Sequence, residues 1–325
     1  MIISRTPLRI SFVGGGSDIA AFYKTTPGAV VSTTINKYIY VVTHDRFDGK
    51  IRLSYSESEL VDKVSDLKHK IAKAALRFFK INHAIEITSI ADIPAGTGLG
   101  SSGAYTVGLL NALSITKGIQ LSKKQLAELA SVIEIEKIRR PIGKQDQCAS
   151  AYGGLNYIQF NPDESIDVEP LQLSMTKRKQ LEANFLLMYT GKREFAEKVL
   201  TKQNKTVAAL VDKRKHISAM VSLAKNLRDE LKQGKIDSFG ELLHENWLLK
   251  KKLENSISNA TIDKWYEIAL QKGAIGGKIC GAGGRGFLLL YAPGSSHKKI
   301  IRALPDLQRV DFAFEDLGST IIHKA

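Results

Sequence analysis

The sequence predicts a two-domain chain in which helices and strands are mixed. Its 325 residues correspond to two domains at about 150 residues each. Alternating and β-rich runs are frequent before residue 174, whereas helical periodicity dominates from residue 194 to about residue 271. Because the character of the chain changes near residue 174, we divide it into residues 1–173 and residues 174–325.

Composition places the chain among ordinary globular proteins. It is 43% hydrophobic and 25% charged, which excludes disordered and collagen-like chains. No apolar run approaches the roughly 18 residues that a membrane helix needs, and the first residues do not resemble a signal peptide. Two cysteines are too few for a disulfide framework or a thiolate zinc site. We therefore expect a soluble, cytoplasmic protein without membrane partners, either a monomer or a homodimer.

The net charge of +14 favours an anionic partner. The basic residues occur in short groups, such as residues 213–215 and 250–252, with acidic residues nearby, which is typical of solvated helix faces. No aromatic residues interleave with them, and no zinc or RNA-binding spacing is present. Phosphorylated small molecules are therefore the favoured partners, and nucleic-acid binding is the minor alternative.

Two periodicities predict the elements of the first domain. Strands are indicated by alternating or β-rich runs, and helices by apolar residues on one face. Ser122 followed by Gln125 is a capping signal for a helix that carries Glu134 and Glu136 and ends at Pro141. The predicted strands are 8–13, 29–34, 38–44, 84–90, 155–160 and 166–171, and the other predicted helices are 64–80, 104–115 and 146–151.

The second domain is predicted to be mainly helical. Helical periodicity extends from residue 194 to about residue 271. The predicted strands are 185–189 and 287–291, a helix begins at residue 295, and short strands follow near 310–314 and 319–323.

Three glycine-rich loops, at residues 14–16, 96–103 and 281–286, are candidates for a binding site. Clustered glycines let backbone N–H groups face one concavity and let a polyanion approach the main chain closely. The middle loop begins after Pro94, carries Ser101 and Ser102, and continues directly into a predicted helix, whose N-terminus favours anions. A simple strand-to-helix turn needs one or two glycines, whereas this loop has four, so we predict phosphate binding there.

Motif patterns alone do not identify the phosphate ligand. Residues 98–103 and 281–286 both match the dinucleotide fingerprint, but the first follows a proline-broken loop and the second leads into a strand. No glycine-lysine pair is followed by Ser or Thr, which excludes a Walker loop, and protein-kinase landmarks are missing.

Acidic residues add a second signal. Phosphoryl transfer needs metal-held phosphates and usually a carboxylate near the attacking hydroxyl. Glu134, Asp146 and Asp18 are candidates, and Arg9 precedes the first glycine turn. Glu136 is interpreted as a solvent-facing helix acid, and the alternative role of Asp146 is a helix N-cap.

Together the three loops resemble motifs one, two and three of the GHMP small-molecule kinases. The matching segments are residues 7–18, 94–103 and 278–284, in order and at the expected separations. Within this superfamily the sequence is similar to the D-glycero-D-manno-heptose 7-phosphate kinases. The segments that carry this similarity are the Gly-Gly-Gly-Ser-Asp turn, residues 143–147 and residues 247–259.

The resemblance implies a fold and an activity. The fold is α+β, with an N-terminal domain like ribosomal protein S5 domain 2 and a ferredoxin-like C-terminal domain. The implied reaction uses ATP and Mg²⁺ to phosphorylate the anomeric 1-hydroxyl of D-glycero-D-manno-heptose 7-phosphate, giving the 1,7-bisphosphate for nucleotide-activated heptose. The alternatives are a GHMP kinase for a free sugar, such as galactose or fucose, and a binding protein that has lost catalysis.

The resemblance also implies roles for residues by position. Asp146 would act as base or orienter at the acceptor hydroxyl, and Arg9 would stabilise charge beside it. Ser102, with Ser101 as the second choice, and Glu134 would hold Mg²⁺. The ATP phosphates would bind Pro94, Gly96, Thr97, Gly98, Leu99, Gly100, Ser101, Ser102 and Gly103. The sugar or sugar-phosphate acceptor would bind Asp18, Gly15, Gly16, Ser17, Gly283 and Gly284.

Two positions depart from the family pattern. Arg285 stands where glycine is expected, and it would narrow the third loop or add a cation near phosphate. Glu194 stands where an arginine is expected. Either Lys192, Arg193 or another cation binds an acceptor phosphate in its place, or the acceptor is not phosphorylated.

Overall fold

A computed structural model of the protein describes residues 1–191 and 211–325. Within these ranges the strands are β1 (Ile2–Val13), β2 (Gly28–Asp45), β3 (Ile51–Ser54), β4 (Ser58–Val61), β5 (Ile85–Ala91), β6 (Leu155–Phe160), β7 (Ile166–Pro170), β8 (Phe185–Gly191), β9 (Gly276–Ile279), β10 (Gly286–Tyr291), β11 (Gln308–Arg309), β12 (Phe314–Glu315) and β13 (Thr320–Lys324). One sheet has the order β13-β1-β2-β5-β3-β4; β6 and β12 also pair with β2, and β7 pairs with β6. A second sheet has the order β11-β8-β10-β9.

The helices confirm the α+β class. None of those in the described ranges has both the length and the apolar character needed to cross a bilayer. They are α1 (Ala20–Tyr23), α2 (Lys70–Phe78), α3 (Ser101–Thr116), α4 (Lys123–Ser131), α5 (Gln145–Tyr152), α6 (Met175–Ala183), α7 (Val211–Lys232), α8 (Phe239–Lys251), α9 (Ala260–Gln271) and α10 (Gly294–Ala303), with a π-helix at Val132–Lys137 and 3-10 turns at Val64–Asp66 and Asn255–Ile257.

Strand β2 replaces the two separate strands predicted at 29–34 and 38–44. One of its edges pairs with β1, and the other is covered in succession by β6, β12 and β5. Asn36, which interrupts the apolar pattern, is exposed, and its backbone N–H donates to the carbonyl of Ala313 at 3.0 Å. Pairing along both edges therefore keeps the strand continuous through the polar residues.

Helix α3 is buried beside the first sheet. Every residue from Gly103 to Ser114 is buried, which is typical of a helix that packs on all sides. It contacts β1, β2 and α5, and a side chain at Gly108 would lie 2.7 Å from Oγ1 of Thr6. Glycine at this position therefore lets β1 approach the backbone of α3 closely.

The helix predicted at 64–80 is interrupted. Residues 64–66 form a 3-10 turn, and α2 begins only after its N-cap His69. The Glu59 carboxylate accepts hydrogen bonds from the backbone N–H groups of Lys68, at 2.6 Å, and His69, at 3.1 Å. Because a side chain from β4 takes these two donors, the backbone does not continue as a helix through residue 69.

Other predictions divide between confirmed and missed elements. The capping box of Ser122 and Gln125 is present in both directions, at 2.9 and 3.2 Å. The π-helix that follows α4, the hairpin β3–β4 and helix α6 were not predicted. Strands β12 and β13 follow residue 174 yet lie in the first sheet, and the division of the chain at that residue stays a prediction. Residues 192–210, with Lys192, Arg193, Glu194 and the first part of the predicted helical region, lie outside the described residues.

Gly103 sets the distance between α3 and α5. A Cβ atom there would lie 2.7 Å from Cβ of Asp146 and 3.0 Å from its carbonyl carbon. We expect Gly103→Ala to lower the free energy of unfolding by about 1–3 kcal/mol, the usual cost of overpacking, in chemical denaturation. Gly294→Ala is the matched control, since it also replaces a helical glycine but has nothing within 4 Å. Equal stability of the two variants would contradict this close approach.

His69 links stability to pH. Its Nδ1 accepts a hydrogen bond from the backbone N–H of Ala72 at 3.2 Å, and burial lowers the pKa of His69 below its ordinary value. The unfolded chain therefore binds a proton more readily, so stability falls as pH decreases below the ordinary histidine pKa of about 6.5. His69→Asn keeps a capping acceptor but cannot titrate.

We expect the melting temperature of His69→Asn to fall less than that of the wild type between about pH 7.5 and pH 5.5. His83→Asn is the control, since His83 is exposed. Identical pH dependence of the wild type and His69→Asn would show that His69 does not contribute to this loss of stability.

Candidate active site

The three glycine loops meet at a cleft of about 620 Å³. Gly16 from the first loop, Gly98 from the second and Gly281 from the third all line it. A Cβ atom on Gly98 would lie 2.5 Å from the carbonyl oxygen of Cys280, and one on Gly281 would lie 2.6 Å from Cα of Gly98. The second and third loops therefore pack backbone against backbone, which only residues without a side chain allow.

The second loop forms a concave backbone in front of α3. Gly96, Gly98 and Gly100 have φ angles of 79°, 88° and 75°, a region that favours glycine. These three glycines line the cleft with Ser101, Ser102 and Gly103, which form the first turn of α3. The N-terminus of a long helix, preceded by this loop, is suited to bind phosphate groups.

Three residues predicted to bind phosphate do not line the cleft. Thr97 is fully buried, and its hydroxyl donates to the carbonyl of Pro94 at 3.0 Å. Leu99 is also fully buried, and its carbonyl accepts a hydrogen bond from the backbone N–H of Arg9 at 3.0 Å. Thr97 and Leu99 therefore support the loop from its buried side, whereas Pro94 is exposed and contributes the carbonyl that accepts the Thr97 hydrogen bond.

Arg9 joins the second loop to Asp146. Its Nε and Nη2 atoms lie 2.8 and 2.7 Å from Oδ1 of Asp146, and its Nη1 donates to the carbonyl of Gly98 at 2.7 Å. The Arg9 side chain is 6% exposed, whereas that of Asp146 is 34% exposed. Asp146 therefore presents a carboxylate to the cleft beside the phosphate loop, and a buried guanidinium holds it there.

Asp18 lies at the same end of the cleft as the first glycine turn. Its two carboxylate oxygens accept hydrogen bonds from the backbone N–H groups of Gly16 and Gln145, each at 3.2 Å. Burial and, secondarily, the negative charge of Asp146 raise the pKa of Asp18. A Cβ atom on Gly143 would lie 1.9 Å from Oδ2 of Asp18, so glycine is required where this segment passes the carboxylate.

In the first glycine turn, some residues line the cleft and others support the turn from its buried side. Gly15 and Gly16 line the cleft. Ser17 is fully buried, and its hydroxyl contacts the carbonyl oxygens of Gly14, at 2.8 Å, and Ala29, at 3.1 Å. Ser17 therefore holds the turn against β2 and does not reach the cleft.

Ser102 and Glu134 form a pair of oxygen ligands suited to Mg²⁺. Glu134 is fully buried and accepts hydrogen bonds from the Ser102 hydroxyl at 2.7 Å and from Nε2 of Gln147 at 2.9 Å. The guanidinium of Arg140 contacts both Ser102 and Glu134. Residues 1–191 and 211–325 contain no cluster of three or more acidic, histidine or cysteine ligands. Phosphate oxygens and water would therefore complete the coordination of an ion held here.

The third loop contributes less to the cleft than was predicted. Gly281 and Ala282 line it, but Gly283 and Gly284 pack on the 3-10 turn at Asn255–Ile257. The backbone N–H of Gly284 donates to the carbonyl of Ile257 at 2.9 Å. Arg285 is exposed and is not among the residues that line the cleft.

Several lining residues were not predicted. Lys278 is 1% exposed, and its ammonium donates to the carbonyls of Ser11 and Phe12 at 2.8 and 2.9 Å. Burial and, secondarily, the positive charge of Lys250 lower the pKa of Lys278 well below its ordinary value. The position of Lys278 within the third glycine motif was the available signal, whereas Lys250 stands in an ordinary basic run.

The other end of the cleft is aromatic. The rings of Tyr55 and His69 lie 4.7 Å apart, and those of His69 and Tyr105 lie 5.1 Å apart. All three residues line the cleft with Ile71 and Ile93. Their sequence positions gave no signal, because Tyr55 lies in the hairpin that was not predicted and His69 in the unpredicted break before α2.

Comparison with known proteins agrees with this geometry. Residues 67–154 match the family model of the GHMP kinases N terminal domain, and residues 227–309 match that of the GHMP kinases C terminal domain. The chain is 29% identical, over 98% of its own length and 97% of the relative, to a D-glycero-alpha-D-manno-heptose 7-phosphate kinase of Campylobacter jejuni. It is also 29% identical to a mevalonate kinase of Pyrococcus horikoshii, over 94% of its own length and 86% of that relative.

A solved structure extends the similarity to the whole fold. The crystal structure of a D-glycero-D-manno-heptose 1-phosphate kinase from Bacteroides thetaiotaomicron aligns with a TM-score of 0.81, at 25% identity and over 100% of both chains. Two family models, relatives matched along nearly their full length, and three glycine loops around one cleft lead to the same conclusion. The chain belongs to the GHMP kinase family.

Proposed function

We propose that this protein is an ATP- and Mg²⁺-dependent sugar kinase that phosphorylates the anomeric 1-hydroxyl of D-glycero-D-manno-heptose 7-phosphate. The observation that carries the proposal is the Arg9 guanidinium, which contacts both Asp146 and the phosphate loop at Gly98. The similarity over nearly the full length to a relative named as a heptose 7-phosphate kinase supports this choice of acceptor.

The nucleotide would occupy the loop and the aromatic end of the cleft. Its phosphates would bind the backbone N–H groups around Gly98 and the N-terminus of α3. Its base would lie against Tyr55, His69 and Tyr105, whose flat rings suit stacking. Ser102 and Glu134 would hold Mg²⁺, which supplies positive charge to the transferring phosphoryl group.

The acceptor would bind between the first glycine turn and Asp146. Asp18 and the backbone of Gly15 and Gly16 offer hydrogen-bonding partners for sugar hydroxyls. As the acceptor oxygen bonds to the γ-phosphorus, the bond from that phosphorus to the bridging oxygen of ADP breaks, and Asp146 takes the hydroxyl proton. Arg9 keeps Asp146 in place and stabilises charge beside it.

The charge of the cleft suits two anionic substrates. Arg9, Arg140 and Lys250 line it, together with the acids Asp18 and Asp146. Cations around a cleft raise the local concentration of anions, and this attraction weakens as salt increases. This attraction supports the choice of a phosphorylated acceptor over a neutral one.

Acceptor specificity tests the proposal. We expect ADP release from Mg-ATP by the purified protein with D-glycero-D-manno-heptose 7-phosphate, and little with the free heptose, galactose, fucose, mannose or mevalonate. Efficient turnover of a free sugar would support the kinase activity but contradict the phosphorylated acceptor. The presence of Glu194 where an arginine is expected would then explain why the enzyme does not need a phosphate on the acceptor. Silence with every acceptor would contradict the proposed function.

Asp146→Asn tests the proposed base. We expect kcat to fall about 100-fold or more, in line with typical general-base contributions, because the amide cannot take the hydroxyl proton. ATP affinity, measured by calorimetry, should persist because Asp146 does not form the phosphate loop. The control is Asp306→Asn, which makes the same change at an exposed position. Wild-type turnover in Asp146→Asn would remove this residue from the mechanism.

A further inference from the structure

We propose that Arg140 is a resident counter-cation of the metal site. It pairs with the Glu134 carboxylate and contacts Ser102, and a divalent ion must displace it in order to bind these two residues. The inference rests on the proposed function only for the location of the metal site. It concerns a residue for which the sequence offered no role.

Glu134 needs a positive partner. Its side chain is 0% exposed, and a buried carboxylate is stable only when it is paired and hydrogen-bonded. Ser102 and Gln147 donate neutral hydrogen bonds to it, and Arg140 supplies positive charge. Arg140 is thus a local source of the electrostatic compensation that a metal ion would otherwise provide.

Arg140 occupies the contacts that an ion would use. Its Nη1 atom contacts both Oγ of Ser102 and Oε2 of Glu134, and these two oxygens lie 2.7 Å apart. An ion ligated by Ser102 and Glu134 would approach the same pair of oxygens. The guanidinium and the ion therefore compete for one position.

An unusual backbone brings Arg140 to this position. Residues six apart on a regular α-helix point to different faces. Here Glu134 lies in the π-helix Val132–Lys137, and Arg139 then adopts a left-handed conformation with φ of 54°. The chain reverses, and the backbone N–H of Arg140 donates to the carbonyl of Glu134 at 2.9 Å. π-Helices and left-handed non-glycine residues are both frequent at functional sites.

Displacement leaves the guanidinium with other partners in the cleft. Arg140 lines the same cleft as the phosphate loop, and Ser102 belongs to the first turn of α3. Phosphate oxygens at that N-terminus are favourable partners for arginine. Arrival of a metal–nucleotide complex would therefore transfer Glu134 from Arg140 to the ion and give Arg140 a phosphate partner. Free metal, which brings no phosphate, would compete poorly.

The probe for this competition is Mn²⁺ in the absence of nucleotide and acceptor, followed by electron paramagnetic resonance of the full-length protein. We expect Arg140→Met to bind Mn²⁺ about tenfold or more tightly than the wild type, because a positive charge next to the ion is removed. Arg139→Asn is the matched control: it removes the same charge at an exposed neighbour, and asparagine tolerates the left-handed conformation. Its Mn²⁺ affinity should stay within about twofold of the wild type, since exposed charges are screened.

Thermal unfolding provides the second readout. Without metal, Arg140→Met should melt below the wild type, and Mn²⁺ should raise its melting temperature more than that of the wild type. The double variant Glu134→Gln/Arg140→Met, which has no buried charge at either position, should regain stability and lose the gain in Mn²⁺ affinity. If Arg140→Met does not fold, Arg140→Lys should show an Mn²⁺ affinity above that of the wild type, because lysine has a shorter reach and lacks the planar fork.

If Arg140→Met folds but binds Mn²⁺ no more tightly than the wild type, the proposal is overturned. If Arg140→Met does not fold, a wild-type Mn²⁺ affinity in Arg140→Lys overturns it. The outcome does not depend on kinase activity, because neither nucleotide nor acceptor is present. A gain in Mn²⁺ affinity without turnover of any sugar would support the role of Arg140 and contradict the proposed function. Heptose kinase activity without a gain in Mn²⁺ affinity would support the proposed function and contradict the role of Arg140.

Discussion

The contacts of one guanidinium, that of Arg9, hold the parts of the cleft together. It binds Asp146 on α5 and the carbonyl of Gly98 in the second loop, while the backbone of Arg9 pairs with Leu99. This arrangement depends on glycine, since a Cβ atom on Gly100 would lie 3.0 Å from Cγ of Arg9. The proposed base and the proposed phosphate site are therefore positioned by the same side chain.

The end of β1 that carries Arg9 is in turn anchored to the second sheet. The ring of Phe12 stacks on Phe185 of β8 at 5.3 Å and meets Phe239 of α8 edge to face at 5.0 Å. The ammonium of Lys278 on β9 donates to the carbonyls of Ser11 and Phe12. Buried aromatic packing and a buried lysine thus join the two sheets directly behind the cleft, so that the third loop can meet the second one.

The parts of the site that were predictable are those that local sequence encodes. Glycine runs mark backbone that must approach a neighbour closely, and the second and third loops do pack backbone against backbone. The contacts that depend on distant partners were not visible. The carboxylate of Glu59, which lies on β4, binds the backbone N–H of His69 and interrupts the predicted helix there. Arg140 reaches Glu134 only because a π-helix and a left-handed residue lie between them. The glycine pattern also does not separate lining from support, and Thr97 and Leu99 proved to be buried behind the loop.

The most direct test of the account is a crystal structure of Asp146→Asn with Mg²⁺, a non-hydrolysable ATP analogue and D-glycero-D-manno-heptose 7-phosphate. The account predicts the analogue phosphates on the second glycine loop and the anomeric oxygen of the acceptor within about 3.2 Å of residue 146, in line with the γ-phosphorus. A sugar bound away from Asn at position 146, or with another hydroxyl facing the γ-phosphorus, would contradict it.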